Sequence, residues 1–221
     1  MNTKTLLQAG WLAAVVYVLT VLVGGFLYPA YSHLAQPVSD LIAADAPNRL
    51  GLNLAFGLYN VLTLVAGWGV WQLVRAASAP RRTLGLAGAA LLLAEGLFGL
   101  ITLFFPEDSA DVAAIGPIGT LHIVFAALSS LATMLTMLLL GVWFRATPAR
   151  RGLALYSFVS VLVVFISGGL AAYGVANHHP LAGLFERGAI GGFLQWLAVI
   201  AWRLAPQAEA APALKPAARQ A

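Results

Sequence analysis

The run GLALYSFVSVLVVFISGGLAAYGV, residues 152–175, holds no charged side chain and is bounded by Arg150-Arg151 before it and His178-His179 after it. As a helix rising 1.5 Å per residue it covers about 36 Å, enough to cross the roughly 30 Å hydrocarbon core of a bilayer. Reading outward from it, comparable apolar stretches recur at 8–30, 53–76, 83–105, 120–145 and 184–204. The chain therefore reads as all-α, a polytopic bundle of six transmembrane helices. The first stretch follows Lys4 as a signal peptide would, but it is too long for an h-region. Leu27-Tyr28-Pro29-Ala30-Tyr31 also offers no small-residue cleavage site, so this stretch is expected to stay as a helix. The last stretch is the weakest, because Glu186 and Arg187 stand near its start.

Composition points the same way. With 61% hydrophobic and 9% charged residues, a chain of 221 residues has too few charges for a soluble surface. Gly and Pro are scattered without a period, which excludes collagen-like and low-complexity chains. The absence of cysteine excludes disulfides, thiolate metal sites and cysteine nucleophiles. A net charge of +4 and a pI near 9.8 would suggest nucleic acid in a soluble domain. Here loop topology accounts for them, and no nucleic-acid partner is expected. All 12 basic residues except Arg49 and Arg187 fall at the N-terminus, in the second and fourth loops, or after the last span. By the positive-inside rule both termini are cytoplasmic and the first, third and fifth loops face outward. Residues 1–204 form one domain, and 205–221, rich in Ala and Pro, read as a flexible cytoplasmic tail.

Helix pairs also echo one another. Val70-Trp71 through Arg75-Ala76 resembles Val142-Trp143-Phe144-Arg145-Ala146, and each is followed by a double Arg and a new helix. Two readings fit: an internal repeat of helix pairs, or Trp and Arg serving as ordinary interfacial anchors. Glycines and other small residues at Gly85, Gly88 and Ala89, at Ser167, Gly168 and Gly169, and at Gly188, Gly191 and Gly192 are expected to let helices approach closely.

The remaining polar residues gather at the outward side. His33, His122, His178 and His179 all map there, as do Asp40, Asp45, Glu107, Asp108, Asp111 and Glu186. Loop one, Tyr31 to Ile42, is too apolar for a free loop. Ser39 is expected to cap a short helix over 40–45. That segment is either a structural re-entry or a lid with His33 and Asp40 turned inward. His122 lies about one turn inside its span, as a packing residue or a ligand. Glu95 stands near mid-span, where an acid costs roughly 2.5–3.5 kcal/mol to insert, offset by its Leu, Ile and Phe neighbours. No Lys or Arg lies at that depth. An uncharged Glu95 hydrogen-bonded to Asn60, Tyr59, Ser129 or Ser130 is therefore expected, as a clamp between helices or as a proton-coupling or substrate-binding group. Bis-imidazole haem ligation needs two facing histidines, and only His122 sits well inside a helix. No Gly-x-Ser-x-Gly elbow is present either.

Three groups of residues carry a resemblance. Tyr28-Pro29-Ala30-Tyr31-Ser32-His33, Pro37-Val38-Ser39-Asp40-Leu41 and Ala46-Pro47-Asn48 resemble the bacterial and archaeal membrane proteins grouped as domain of unknown function 998. Phe105-Pro106-Glu107-Asp108, Gly119-Thr120-Leu121-His122 and Gly183-Leu184-Phe185-Glu186-Arg187 extend it, from about residue 10 to 204. The resemblance implies a six-helix bundle with these residues at its outer face and no particular activity.

The functional expectation is a multi-pass protein of a prokaryotic cytoplasmic membrane. It has an outward-facing pocket that binds or moves a lipid or small apolar molecule. His33, Asp40, Asp108, His122 and Glu186 would form the polar end of that pocket, and Glu95 its floor. The alternative is a metal-assisted hydrolase or lipid-modifying enzyme, with one divalent ion such as zinc on His33, His122 and Asp108 activating water. A third is a structural partner of other membrane proteins, with membrane lipids as its surroundings.

Overall fold

The computed structural model of the chain describes residues 2–108 and 115–210. Six long helices dominate it: α1 Thr3–Leu27, α2 Arg49–Ala76, α3 Arg82–Thr102, α4 Pro117–Arg145, α5 Arg151–Ala176 and α6 Ala182–Ala210. Short 3-10 turns occupy Ser39–Ile42 and Pro148–Arg150. α1 starts earlier than its apolar stretch because Asn2 caps it, Oδ1 accepting the Thr5 N–H at 2.8 Å. α4 starts at Pro117, whose missing N–H is harmless in a first turn. α6 runs through Pro206 to Ala210, and residues 211–221, the greater part of the expected tail, lie outside the described residues.

All six helices are long and apolar enough to cross a membrane. Their outward faces are apolar too, with Leu155, Leu162 and Phe165 more than half exposed along α5. Together these features suggest a multi-pass membrane protein, since a lipid-facing helix meets its backbone hydrogen bonds internally and needs no polar surface.

Each helix packs on its neighbours in chain order, and α6 closes on α1, so the bundle is a ring. Close backbone approach depends on glycine at particular points. A Cβ on Gly69 of α2 would stand 2.9 Å from the Leu7 nitrogen of α1. One on Gly88 of α3 would stand 2.9 Å from Leu140 of α4. Of the other small residues, Gly85, Gly188 and Gly192 meet neighbouring helices closely, while Gly169 and Gly191 face open space.

The half of the ring that carries both chain ends is solid. Leu7, Val70, Leu140, Trp143, Phe144, Trp196 and Ile200 are fully buried there. The Trp196 indole N–H donates to Ser157 Oγ at 2.9 Å. Not every Trp is an interfacial anchor. Trp143 is wholly buried with the Arg150 guanidinium 4.5 Å above its ring, whereas Trp202 is 68% exposed. At the opposite end, loop one turns back into the mouth of the ring. Its Val38, Leu41 and Ile42 form a second cluster with Val21, Leu52 and Phe56.

Candidate functional site

Between the solid half and the loop-one plug lies a cavity of ≈ 330 Å³ that all six helices and the Ser39–Ile42 turn help to line. Helical spacing assembles its walls. α2 presents Phe56 and Asn60 one turn apart, with Tyr59 beside them, and α3 presents Glu95 and Gly99. α4 contributes a stripe of His122, Ala126, Ser129, Ser130 and Thr133. Tyr17, Val164, Ile190 and Phe193 complete an apolar lining from α1, α5 and α6.

The polar groups in this lining are only partly satisfied. The Tyr59 hydroxyl donates to Glu95 Oε1 at 3.1 Å, but Glu95 Oε2 is buried without a partner. Of the partners expected for Glu95 (Asn60, Tyr59, Ser129 and Ser130), the structure supplies Tyr59. The Asn60 amide nitrogen donates back to the Phe56 carbonyl at 2.9 Å, leaving Oδ1 buried and unpartnered. That oxygen points at Gly99, where any Cβ would strike it. His122 is buried, with Nδ1 2.8 Å from the Phe105 carbonyl oxygen. A carbonyl only accepts, so the network assigns a proton to Nδ1 and leaves Nε2 as the ring's second hydrogen-bonding atom. A buried polar atom without a partner costs about 1–3 kcal/mol. Two such atoms and a free imidazole nitrogen belong to residues lining one apolar-walled space.

Loop one is a plug fastened to the start of α6. The Gly183 and Leu184 N–H groups, orphans of a helix N-terminus, donate to the Ala35 and Leu34 carbonyls at 3.2 and 2.9 Å. Glu186 Oε2 accepts the Val38 N–H at 2.6 Å. Arg187 donates to the Gln36 carbonyl at 2.8 Å and to the Tyr31 hydroxyl at 2.5 Å, and its guanidinium lies over the Tyr31 ring. Tyr31 in turn donates to the Pro37 carbonyl at 2.6 Å. Burial pushes the Tyr31 phenol up to about 12 against the opposing pull of Arg187, so it stays neutral. Gly183 is required because the Gln36 carbonyl occupies the space of a side chain.

Of the six residues expected to form one pocket, the structure brings Glu95, His122 and Glu186 to the cavity. The others lie elsewhere. His33 packs over Gly25 of α1 and edge-on to Tyr31, where burial and then Arg187 lower its imidazole below the usual range. Asp40 accepts from the Gln36 amide at 3.1 Å, and burial raises its carboxyl above the ordinary aspartate value. Asp108 accepts the Gly116 N–H at 2.7 Å, capping the approach to α4. Asp111 lies outside the described residues. The short helix expected over 40–45 is instead a 3-10 turn over Ser39–Ile42 with no side-chain cap from Ser39. The set His33, His122 and Asp108 does not assemble as a metal site. Among the described residues no three His, Asp or Glu side chains converge as metal ligands would.

Sequence reasoning noted Gly183 and Arg187 but gave them no part in the site. The available signal was a glycine and a Glu-Arg pair at the head of an apolar span. Such charges survive there only when local partners hold them.

Residues 11–203 match the family described as protein of unknown function, DUF998, and the chain belongs to that family. No curated protein and no solved structure matches it.

Proposed function

We propose that the protein binds a small amphipathic molecule of the membrane in the cavity between its helices. The apolar part would lie against Phe56, Val164 and Phe193. A hydrogen-bonding head would meet Glu95 Oε2, Asn60 Oδ1 and His122 Nε2. The observation that carries this reading is the pair of buried, unpartnered polar atoms on residues lining one apolar space. Binding sites for small molecules are built this way, with apolar walls and a few converging polar groups. A volume of ≈ 330 Å³ sits at the low end of the ~300–1,000 Å³ range of such sites, which favours a small occupant over a whole two-chain phospholipid. The distribution of basic residues supports an outward position for loop one, and hence for the cavity, in a cytoplasmic membrane. Binding of this kind needs no reaction, and movement of the molecule needs only different affinities in two states. The metal-assisted hydrolase draws little support, because of its three proposed ligands only His122 lines the cavity.

The test is mass spectrometry of small molecules released from protein purified in mild detergent. One species near equimolar amount is expected in wild type, falling at least tenfold in Glu95→Leu and Asn60→Leu variants that retain the wild-type melting profile. Wild-type protein that releases nothing, or variants that release as much as wild type, overturns the reading.

A further inference from the structure

The cavity reaches the seam between α4 and α5. Near the solid end of the bundle that seam is filled: a Cβ on Gly141 of α4 would stand 2.8 Å from the Phe158 ring of α5. Ser130 lies on the same flank of α4, about three turns nearer the plug. Because the two helices run antiparallel, the corresponding three turns along α5 lead from Ser157, whose Cβ also stands 3.2 Å from the Gly141 Cβ position, to Gly168. Both Ser130 and Gly168 line the cavity. A Cβ on Gly168 would meet only Ala189 of α6, at 3.8 Å, and nothing of α4. At this level a Cβ on Gly168 would thus leave α4 untouched, and Ser130 is exposed there.

Depth decides what lies outside. Ser130 is about 20 Å along α4 from either end at 1.5 Å per residue, so its level corresponds to the middle of the bilayer. Surface that opens outward at that depth adjoins acyl chains, not water. The aqueous end, by contrast, is closed by loop one, whose backbone is hydrogen-bonded to Gly183, Leu184, Glu186 and Arg187.

From the unfilled seam, the closed aqueous end and the unpartnered Glu95 and Asn60 oxygens, we infer that the cavity is a side pocket of the bilayer. It is entered between Ser130 and Gly168 by a single-chain lipid with a hydroxyl head. The inference rests on the cavity-binding reading and adds to it a route and a ligand class. The chain lies in the α4–α5 gap, and the hydroxyl passes inward to the Asn60 and Glu95 oxygens and His122 Nε2. A hydroxyl suits these groups because it can accept a hydrogen bond from an uncharged Glu95 and donate its own proton to either the Asn60 oxygen or His122 Nε2. A two-chain lipid would leave its second chain outside the seam.

The probe is dodecan-1-ol carrying a diazirine in its chain, added to wild-type protein in phosphatidylcholine and phosphatidylglycerol nanodiscs, photolysed, and mapped by peptide mass spectrometry. Label is expected on cavity-lining residues of α4 and α5. It should fall at least fivefold in Gly168→Leu and in Ser130→Leu, which fill the seam. It should be unchanged in Gly191→Leu, where a side chain on α6, away from the α4–α5 seam, meets open space. Melting profiles of all variants establish that each is folded, and either seam variant alone suffices. Equal cavity labelling in wild type and folded seam variants overturns the route while leaving the cavity reading in place. No cavity labelling in wild type overturns the ligand class. If nothing co-purifies with the protein either, the cavity reading falls too.

Discussion

Replacing Glu186 by Leu isolates one bond of the loop-one plug. The Val38 N–H it removes from partnership is on a residue only 5% exposed, and Glu186 Oε2 at 2.6 Å is its acceptor. Leucine keeps the volume near the cavity but offers no oxygen. The N–H is then buried and unsatisfied, at a cost of about 1–3 kcal/mol. That cost falls on the docked state of loop one and not on the ring of helices, whose packing does not involve this bond. The docked-to-undocked equilibrium should therefore shift by roughly 5- to 150-fold, taking 1.4 kcal/mol as tenfold. Local opening is read directly by amide exchange. Hydrogen–deuterium exchange of the 31–46 segment in nanodiscs should accelerate by that factor, while segments from α3 and α4 exchange as in wild type. Unchanged exchange over 31–46 would refute the assignment of Glu186 as a latch. Uniform acceleration throughout the chain would show that the bond supports the whole bundle instead.

Three further outcomes follow from the same geometry. Gly69→Ala, which drives a methyl against the Leu7 backbone, should lower unfolding stability by about 1–3 kcal/mol, whereas Gly51→Ala, with open space around it, should not; denaturant titration in detergent compares them. Ser157→Ala leaves the buried Trp196 N–H without an acceptor and should cost about 1–3 kcal/mol in the same titration. Asp40 has its carboxyl raised above the ordinary 3.8 by burial, so its contribution to stability is present below 3.8 and is lost as pH rises through the raised value. Asp40→Asn, which keeps an oxygen for Gln36, should thus melt above wild type at pH 7, and the gap should close as pH falls below 3.8. A gap that widens on acidification would reverse the sign of the argument.

The fold was legible because a bilayer imposes a length and an apolar surface on every helix that crosses it, and both are written residue by residue. The candidate site was only half legible. Glu95 and His122 could be picked out because each stands within an apolar span, where a polar side chain must find a partner or a cavity. Asp108, Asp40 and His33 share the chemistry but not the fate. Asp108 meets the Gly116 N–H ahead of the first turn of α4, and Asp40 meets Gln36 four residues before it. Short polar side chains in turns satisfy the nearest backbone or loop group first, and a chain read in one dimension does not say which group is nearest. Loop one could be expected to re-enter the bundle, but the same limit hid what fastens it. That Leu34 and Ala35 would supply the carbonyls for the head of α6 depends on how the ring closes, not on any local pattern.

Ring closure has a consequence for how the molecule is made. α6 is the least hydropathic of the six helices, and half of its most apolar window is buried in the protein. It packs against both α5 and α1, the latter being the earliest made of the six. Until α6 arrives, the other five form an open trough. The cavity then lacks Ile190 and Phe193, and loop one has no Gly183, Glu186 or Arg187 to hold it. The last helix thus acts as a keystone. A nascent chain halted before residue 182 leaves Glu95 and Asn60 along an open groove, and the cavity has its full lining only when α6 has been made.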